Sequence, residues 1–143
     1  MTVAGAGSTG AARVPSVPLR MPARIFTGPG LLLAGLNHFL MPRVYEPLMP
    51  DYLPAHRQLI YASGVAEMLT GAGAMVPQTR RYAGWLGVAT LIGVFPANVH
   101  MAQHPERFPG IPRWTMIVRL PMQLWMIWAV WDTTQRDAAP SPH

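Results

Sequence analysis

A few polar side chains stand among apolar neighbours, and they are the residues with chemistry to offer. Glu67 interrupts the apolar stretch 59–76, and Arg119 interrupts the stretch 114–131. Asn37 and His38 lie near the end of 25–41, Asn98 and His100 near the end of 82–101, and Gln123 follows Arg119 by one helical turn. An unpaired Glu or Arg at the middle of a membrane helix costs about 2.5–3.5 kcal/mol on insertion scales. Paired, the two cancel charge, and a guanidinium grips a carboxylate through two parallel N–H donors. Glu67 and Arg119 are therefore expected to pair, either only to fix helix register or as part of a polar pocket. In the pocket reading, Arg119 and Gln123 hydrogen-bond a carbonyl or anionic oxygen. Glu67 holds Arg119 or accepts a proton, and His38, which titrates near neutrality when unperturbed, relays protons at the mouth.

The elements that must position these groups follow from the apolar runs. Each run of about 17–20 residues matches a hydrocarbon core of ~30 Å at 1.5 Å per residue, and a chain crossing lipid must satisfy its backbone polar groups as a helix. Small and polar residues recur at helical spacing: Gly30, Ala34, Asn37 and His38; Ser63, Glu67, Thr70, Gly71 and Ala74; Gly87, Thr90 and Asn98; Thr115, Arg119, Gln123 and Met126. Such stripes let helices approach and hydrogen-bond across the contact. Asn98 and His100 are about 200° apart on an ideal helix, so both face inward only if Pro96 distorts the turn. Pro96 and Pro121 each free a backbone carbonyl beside a polar residue, the makings of a binding wall.

Composition agrees with a membrane chain. Of 143 residues, 50% are hydrophobic and 12% charged, against roughly 25% charged in soluble domains. Cysteine is absent, which removes disulfides, thiolate metal sites and a cysteine nucleophile. The net charge of +5 comes from arginines scattered along the chain, with no basic stripe and hence no nucleic-acid partner. There is no phosphate loop, nucleophile elbow or paired-histidine zinc helix. Met41, Met49, Met101 and Met116 lie near His38, His56, His100 and His104 at one end, a combination that suits Cu(I). No tight Met or His spacing accompanies them, and no metal site is expected.

The expected fold is all-α, an integral membrane four-helix bundle. Residues 1–22 form a disordered cytosolic tail, 23–131 the helical domain, and 132–143 a second disordered tail. The helices run at about 25–41, 59–76, 82–101 and 114–131. No small-x-small cleavage site follows the first run, so it reads as a retained span. Four spans put both termini on one side. Arg13, Arg20, Arg24, Arg80, Arg81 and Arg136 outnumber Arg43, Arg57, Arg107 and Arg113, which places the termini in the cytoplasm. Trp125, Trp128 and Trp131 fall at the level of Tyr82 and Trp85, as an inner aromatic belt would. The polar residues then share the outer half, under two proline-rich outer loops.

The residues also resemble a known family. Gly35-Leu36-Asn37-His38-Phe39 with Pro42, Tyr45, Pro47, Pro50 and Leu53-Pro54 is similar to the first helix and loop of the DoxX family. Ser63-Gly64-Val65-Ala66-Glu67 with Gly71 and Gly73 resembles its second helix. Phe95-Pro96-Ala97-Asn98 with His100-Met101 resembles the end of its third, and Arg119-Leu120-Pro121 with Gln123 its fourth. The resemblance spans about residues 24–131. It implies a four-helix membrane bundle that serves an oxidoreductase or stress-response system. The family takes its name from a subunit of a thiosulfate:quinone oxidoreductase. A quinone-like or lipid-like molecule is the expected ligand of Glu67, Arg119, His38, Asn98, Gln123, Asn37 and His100. Without cysteine, electrons would pass through a bound quinone or a redox partner protein. Two alternatives remain: a non-catalytic scaffold or assembly factor with a filled interior, and a small proton-coupled transporter acting as a dimer, the simplest homo-oligomer, with Glu67 as coupling carboxylate.

Overall fold

The computed structural model describes residues 20–136, and every regular element among them is helical. Helix α1 (Arg20–Ile25) runs through a π-helical turn (Phe26–Gly30) into α2 (Leu31–Leu40). Pro42 stops α2 and opens the short α3 (Pro42–Tyr45), which tightens into a 3-10 turn (Glu46–Leu48). Helix α4 (His56–Met75) begins after Ala55, a left-handed residue at φ 56°. It ends just ahead of Pro77, where a proline disfavours helical backbone in the residue before it. Helix α5 (Arg80–Gln103) is followed by a 3-10 turn (Pro105–Arg107), and α6 (Arg113–Trp131) starts directly after the extended Pro112.

The helices begin and end within a few residues of the apolar runs, with two corrections. The first helical rod starts at Arg20, inside the expected N-terminal tail, and is not one uniform α-helix from 25 to 41. The last does not stop at Trp131: Asp132–Arg136 continue it as a π turn, with Asp132, Thr133 and Thr134 buried. Residues 1–19 and 137–143, the rest of the two expected tails, lie outside the described residues.

The rods close into a ring. Helix α2 packs on α4, α4 on α5, α5 on α6, and α6 returns to α1 and the π turn that follows it. Glycine sets the tightest of these contacts. A methyl group on Gly35 would strike the Gly64 carbonyl, and one on Gly64 would lie 2.8 Å from His38 Cβ and 2.9 Å from the Gly35 carbonyl. One on Gly71 would lie 2.7 Å from the Gly28 carbonyl. Gly28 and Gly35, and Gly64 and Gly71, are each two turns apart, so backbone meets backbone along one seam. The most buried residues of the first rod include Thr27, Gly28, Leu31, Gly35 and His38, with Gly30 and Ala34 half-buried beside them.

Two apolar clusters fill the ring. Leu31, Leu91 and Val130 form one, toward the chain termini. Met101, Phe108 and Met116 form the other, beneath the long loops. The outward faces carry many large apolar side chains, among them Leu33 (66% exposed), Leu40 (70%), Leu69 (58%), Ile92 (57%) and Leu124 (63%). Helix α5 is the one described helix long and apolar enough to cross a membrane.

Candidate functional site

Between the two apolar clusters lies a cavity of ≈ 220 Å³. Its polar lining comes from His38 of α2, Ser63 and Glu67 of α4, Asn98 of α5, and Arg119 and Gln123 of α6. Tyr45, Leu48 and Met49 form the lid side. Each residue arrives by its helical phase. His38 sits one turn beyond Gly35 on the glycine seam, so its ring is carried into the space beside α4. Gln123 and Asn98 occupy the buried faces of α6 and α5.

The geometry assigns a hydrogen to His38. Its Nδ1 lies 2.9 Å from the Ile60 carbonyl, which can only accept, so Nδ1 carries the hydrogen. Ser63 Oγ lies 3.0 Å from the same nitrogen and donates to the same carbonyl at 2.9 Å. Tyr45 covers the imidazole, with ring centroids 4.0 Å apart. Nε2 is left facing Glu67 Oε2 at 3.6 Å, an ion-pair distance too long for a hydrogen bond. That carboxylate oxygen is buried and has no hydrogen-bond partner.

The opposite wall is a relay of amides. Gln123 Nε2 donates to the Leu91 carbonyl at 2.6 Å, and Asn98 Nδ2 donates to Gln123 Oε1 at 2.8 Å. Arg119 Nε donates to Asn98 Oδ1 at 3.3 Å. The Leu91 carbonyl is next to that of Ile92, whose helical donor Pro96 lacks. Neither Pro96 nor Pro121 lines the cavity; both are exposed.

Of the residues singled out from sequence, His38, Glu67, Asn98, Arg119 and Gln123 meet at this cavity. The pairing differs from expectation: Glu67 faces His38, and Arg119 is held by Asn98. Asn37 and His100 lie elsewhere. Asn37 donates to the Tyr45 hydroxyl at 2.8 Å and so secures the lid from behind. His100 turns toward the loops, where Arg107 Nη1 donates to its Nε2 at 3.3 Å and His104 packs on its ring. Asn98 is the one of that pair that faces the amide relay, as their 200° separation requires. Ser63, Tyr45, Leu48 and Met49 complete the cavity without having been counted among its residues. Ser63 is one turn before Glu67 on the same face and was legible; the lid residues depend on a loop path that spacing does not reveal.

The chain matches the family described as Domain of unknown function (DUF8561) over residues 28–134. It belongs to that family. Comparison with curated proteins and with solved structures gives no match. The span shared with the DUF8561 family opens on Gly28, in the glycine seam, and closes on Thr134, in the terminal π turn. It takes in every polar group of the cavity and both loops that cover it.

Those loops are tied together within the family's span. Arg107 grips Asp51 through two hydrogen bonds, 3.0 and 2.6 Å, joining the loop after α5 to the loop before α4. The guanidinium holds the Asp51 carboxyl below the usual carboxylate range, and the carboxylate in turn raises the Arg107 pKa. A second hollow of ≈ 340 Å³ opens at the other end of the ring, beside Arg24, Thr27, Arg80 and Thr133. There Thr133 donates to Thr27 Oγ1 at 3.0 Å, and Arg80 Nε donates to the Ala74 carbonyl at 3.0 Å. The smaller cavity, with its orphaned carboxylate oxygen, is the better candidate. No cluster of three His, Cys, Asp or Glu able to hold a metal occurs among the described residues.

Proposed function

We propose that this protein is a four-span integral membrane protein whose polar cavity binds a small quinone-like or lipid-like molecule. The observation that carries this reading is Glu67 Oε2: buried, without a hydrogen bond, and on a cavity that also holds an arginine. Leaving a buried charged or polar group unsatisfied costs about 1–3 kcal/mol or more. Such a group is tolerated where a ligand supplies the missing partner.

The membrane part of the reading rests on the apolar outward faces of all four rods, which a soluble protein would cover or replace with charge. Only α5 is long and apolar enough by itself. The first rod is divided by its π turn, and α4 dilutes Leu and Ile with Gly, Ala, Ser and Thr, which suit close helix contact rather than high hydropathy. With four spans, both termini lie in the cytoplasm and the cavity opens toward the outside. The DoxX resemblance favours a component of an oxidoreductase or stress-response system working with a membrane or redox partner protein. The cavity weighs against the scaffold reading, which calls for a filled interior.

The test is native mass spectrometry with lipid extraction on the full chain in mild detergent, comparing wild type, Glu67→Gln and Arg119→Gln. A quinone or lipid that co-purifies with wild type and is lost from both folded variants is the expected result. A wild-type chain free of any such molecule would count against the pocket and in favour of scaffolding.

A further inference from the structure

The α4–α5 seam borders the polar cavity. A groove of ≈ 350 Å³ runs along the outer surface there, between Leu59, Ala62 and Ala66 of α4 and Thr90 and Gly93 of α5. Met49, Ser63, Val94 and Ala97 border both spaces. The groove's lining is mostly apolar, and at Gly93 a side chain would meet nothing within 4 Å. The cavity itself, at ≈ 220 Å³, is smaller than the roughly 300–1,000 Å³ typical of a pocket that encloses a whole ligand. It has room for a head group, and the adjoining groove has room for a chain.

We propose that cavity and groove form one site for a single-chain amphiphile with an anionic oxygen head, entering sideways from the bilayer between α4 and α5. The proposal rests on the pocket reading above and gives its ligand a class. Arg119 carries a full positive charge, and among the described residues the one hydrogen bond its guanidinium donates to the protein is from Nε, leaving both Nη groups for a ligand oxygen. Across the cavity, Glu67 Oε2 lies 3.6 Å from His38 Nε2. A carboxyl protonated there would leave the pair neutral and donate to the same oxygen, so that Arg119 sets the charge of the site and selects an anion. A tail in the groove exchanges one apolar neighbour for another, because lipid chains are as apolar as leucine. The head therefore supplies the affinity, and the groove decides which molecules can bring a tail.

Photolabelling of the full-length protein in lipid nanodiscs tests this, with hexadecanoate carrying a diazirine at mid-chain as the probe and its methyl ester as the uncharged control. The expected cross-links fall on Ala62, Ala66, Thr90 and Gly93. They weaken by about tenfold or more, the equivalent of ~1.4 kcal/mol, in Arg119→Gln and with the ester. Gly93→Phe, which fills the groove from a position with open space around it, abolishes them. Ala62→Phe fills it from the other wall and guards against a misfolded Gly93→Phe. Labels spread equally over Leu33 and Leu124, or unchanged in both plugged variants, would overturn the lateral site. Should the plugged variants still co-purify the molecule that Glu67→Gln and Arg119→Gln lose, the pocket stands and the tail route is wrong. Should Arg119→Gln lose neither label nor co-purifying molecule, both readings fail.

Discussion

Gln123 is the side chain on which the polar wall depends, because it bonds in both directions at once. It holds the Leu91 carbonyl through Nε2 and receives Asn98 through Oε1, and it is 1% exposed. Gln123→Leu would leave the Asn98 amide without its acceptor and take a second donor from the Leu91 carbonyl. The expected cost is about 1–2 kcal/mol, the upper part of the range for interhelical hydrogen bonds in membrane proteins. Asn98→Leu alone should cost a similar amount, since it frees Oε1 and removes the acceptor that steadies Arg119. The double variant should cost less than the sum, because each partner is then spared an unpaired neighbour. Unfolding in mixed micelles for the full cycle checks this, and strict additivity would show that the contact carries no coupling. At this scale the sequence told that His38, Glu67, Asn98, Arg119 and Gln123 gather, though not Asn37 and His100, and it did not tell whom each one touches. Opposite charge pointed Glu67 to Arg119. The glycine contact draws α2 so close to α4 that His38 reaches the carboxylate instead.

The elements explain how that closeness arises. Gly35 and Gly64 face one another where any side chain would collide with backbone, and His38 leans on the vacancy at Gly64. Gly64→Ala therefore introduces a methyl 2.8 Å from His38 Cβ. Overpacking of this kind costs about 1–3 kcal/mol. It should also move the imidazole away from Glu67 and weaken ligand binding with no cavity residue replaced. Gly93→Ala is the matching control, since nothing lies within 4 Å and the change gains up to about 1 kcal/mol in helix propensity. Equal thermal stability for the two variants would show that the seam can yield. Helix positions were legible because apolar runs alternate with proline-rich loops: Pro42, Pro77, Pro105 and Pro112 punctuate them in the fold as in the sequence. The first rod was legible in part: Ala34 and His38, one turn apart, both line the cavity. The glycine seam was not, because Gly28, Leu31, Gly35 and His38 make as regular a stripe at 100° per residue as Gly30, Ala34 and His38, and spacing alone does not choose between adjacent faces. The terminal π turn was hidden for a different reason: Thr133 and Thr134 look polar in sequence. In the fold each donates to a carbonyl one turn back in its own helix, Ala129 at 2.7 Å and Val130 at 2.6 Å, and is buried.

For the whole molecule the decisive question is how many rods lie in the bilayer, and one position separates the answers. If α5 alone crosses, everything before it shares a side, so the loop before α4 and the turn before α5 face the same compartment. If all four rods cross, that loop and that turn face opposite compartments, while the loop before α4 joins the loop after α5. The Arg107–Asp51 clamp fits the second arrangement, because it ties those two loops directly. The chain has no cysteine, so a single introduced thiol reports without background. Tyr52→Cys sits at a position 74% exposed in the loop before α4, and Gln78→Cys in the turn before α5. A membrane-impermeant maleimide added to intact cells should label the first and spare the second until the membrane is opened. Gly110→Cys, in the loop after α5, should behave like Tyr52→Cys. Should Tyr52→Cys instead follow Gln78→Cys, α4 does not span and the four-span reading fails. The cavity, walled by residues from all four rods, would then lie outside the bilayer, and a ligand entering sideways from lipid would have no route to Arg119.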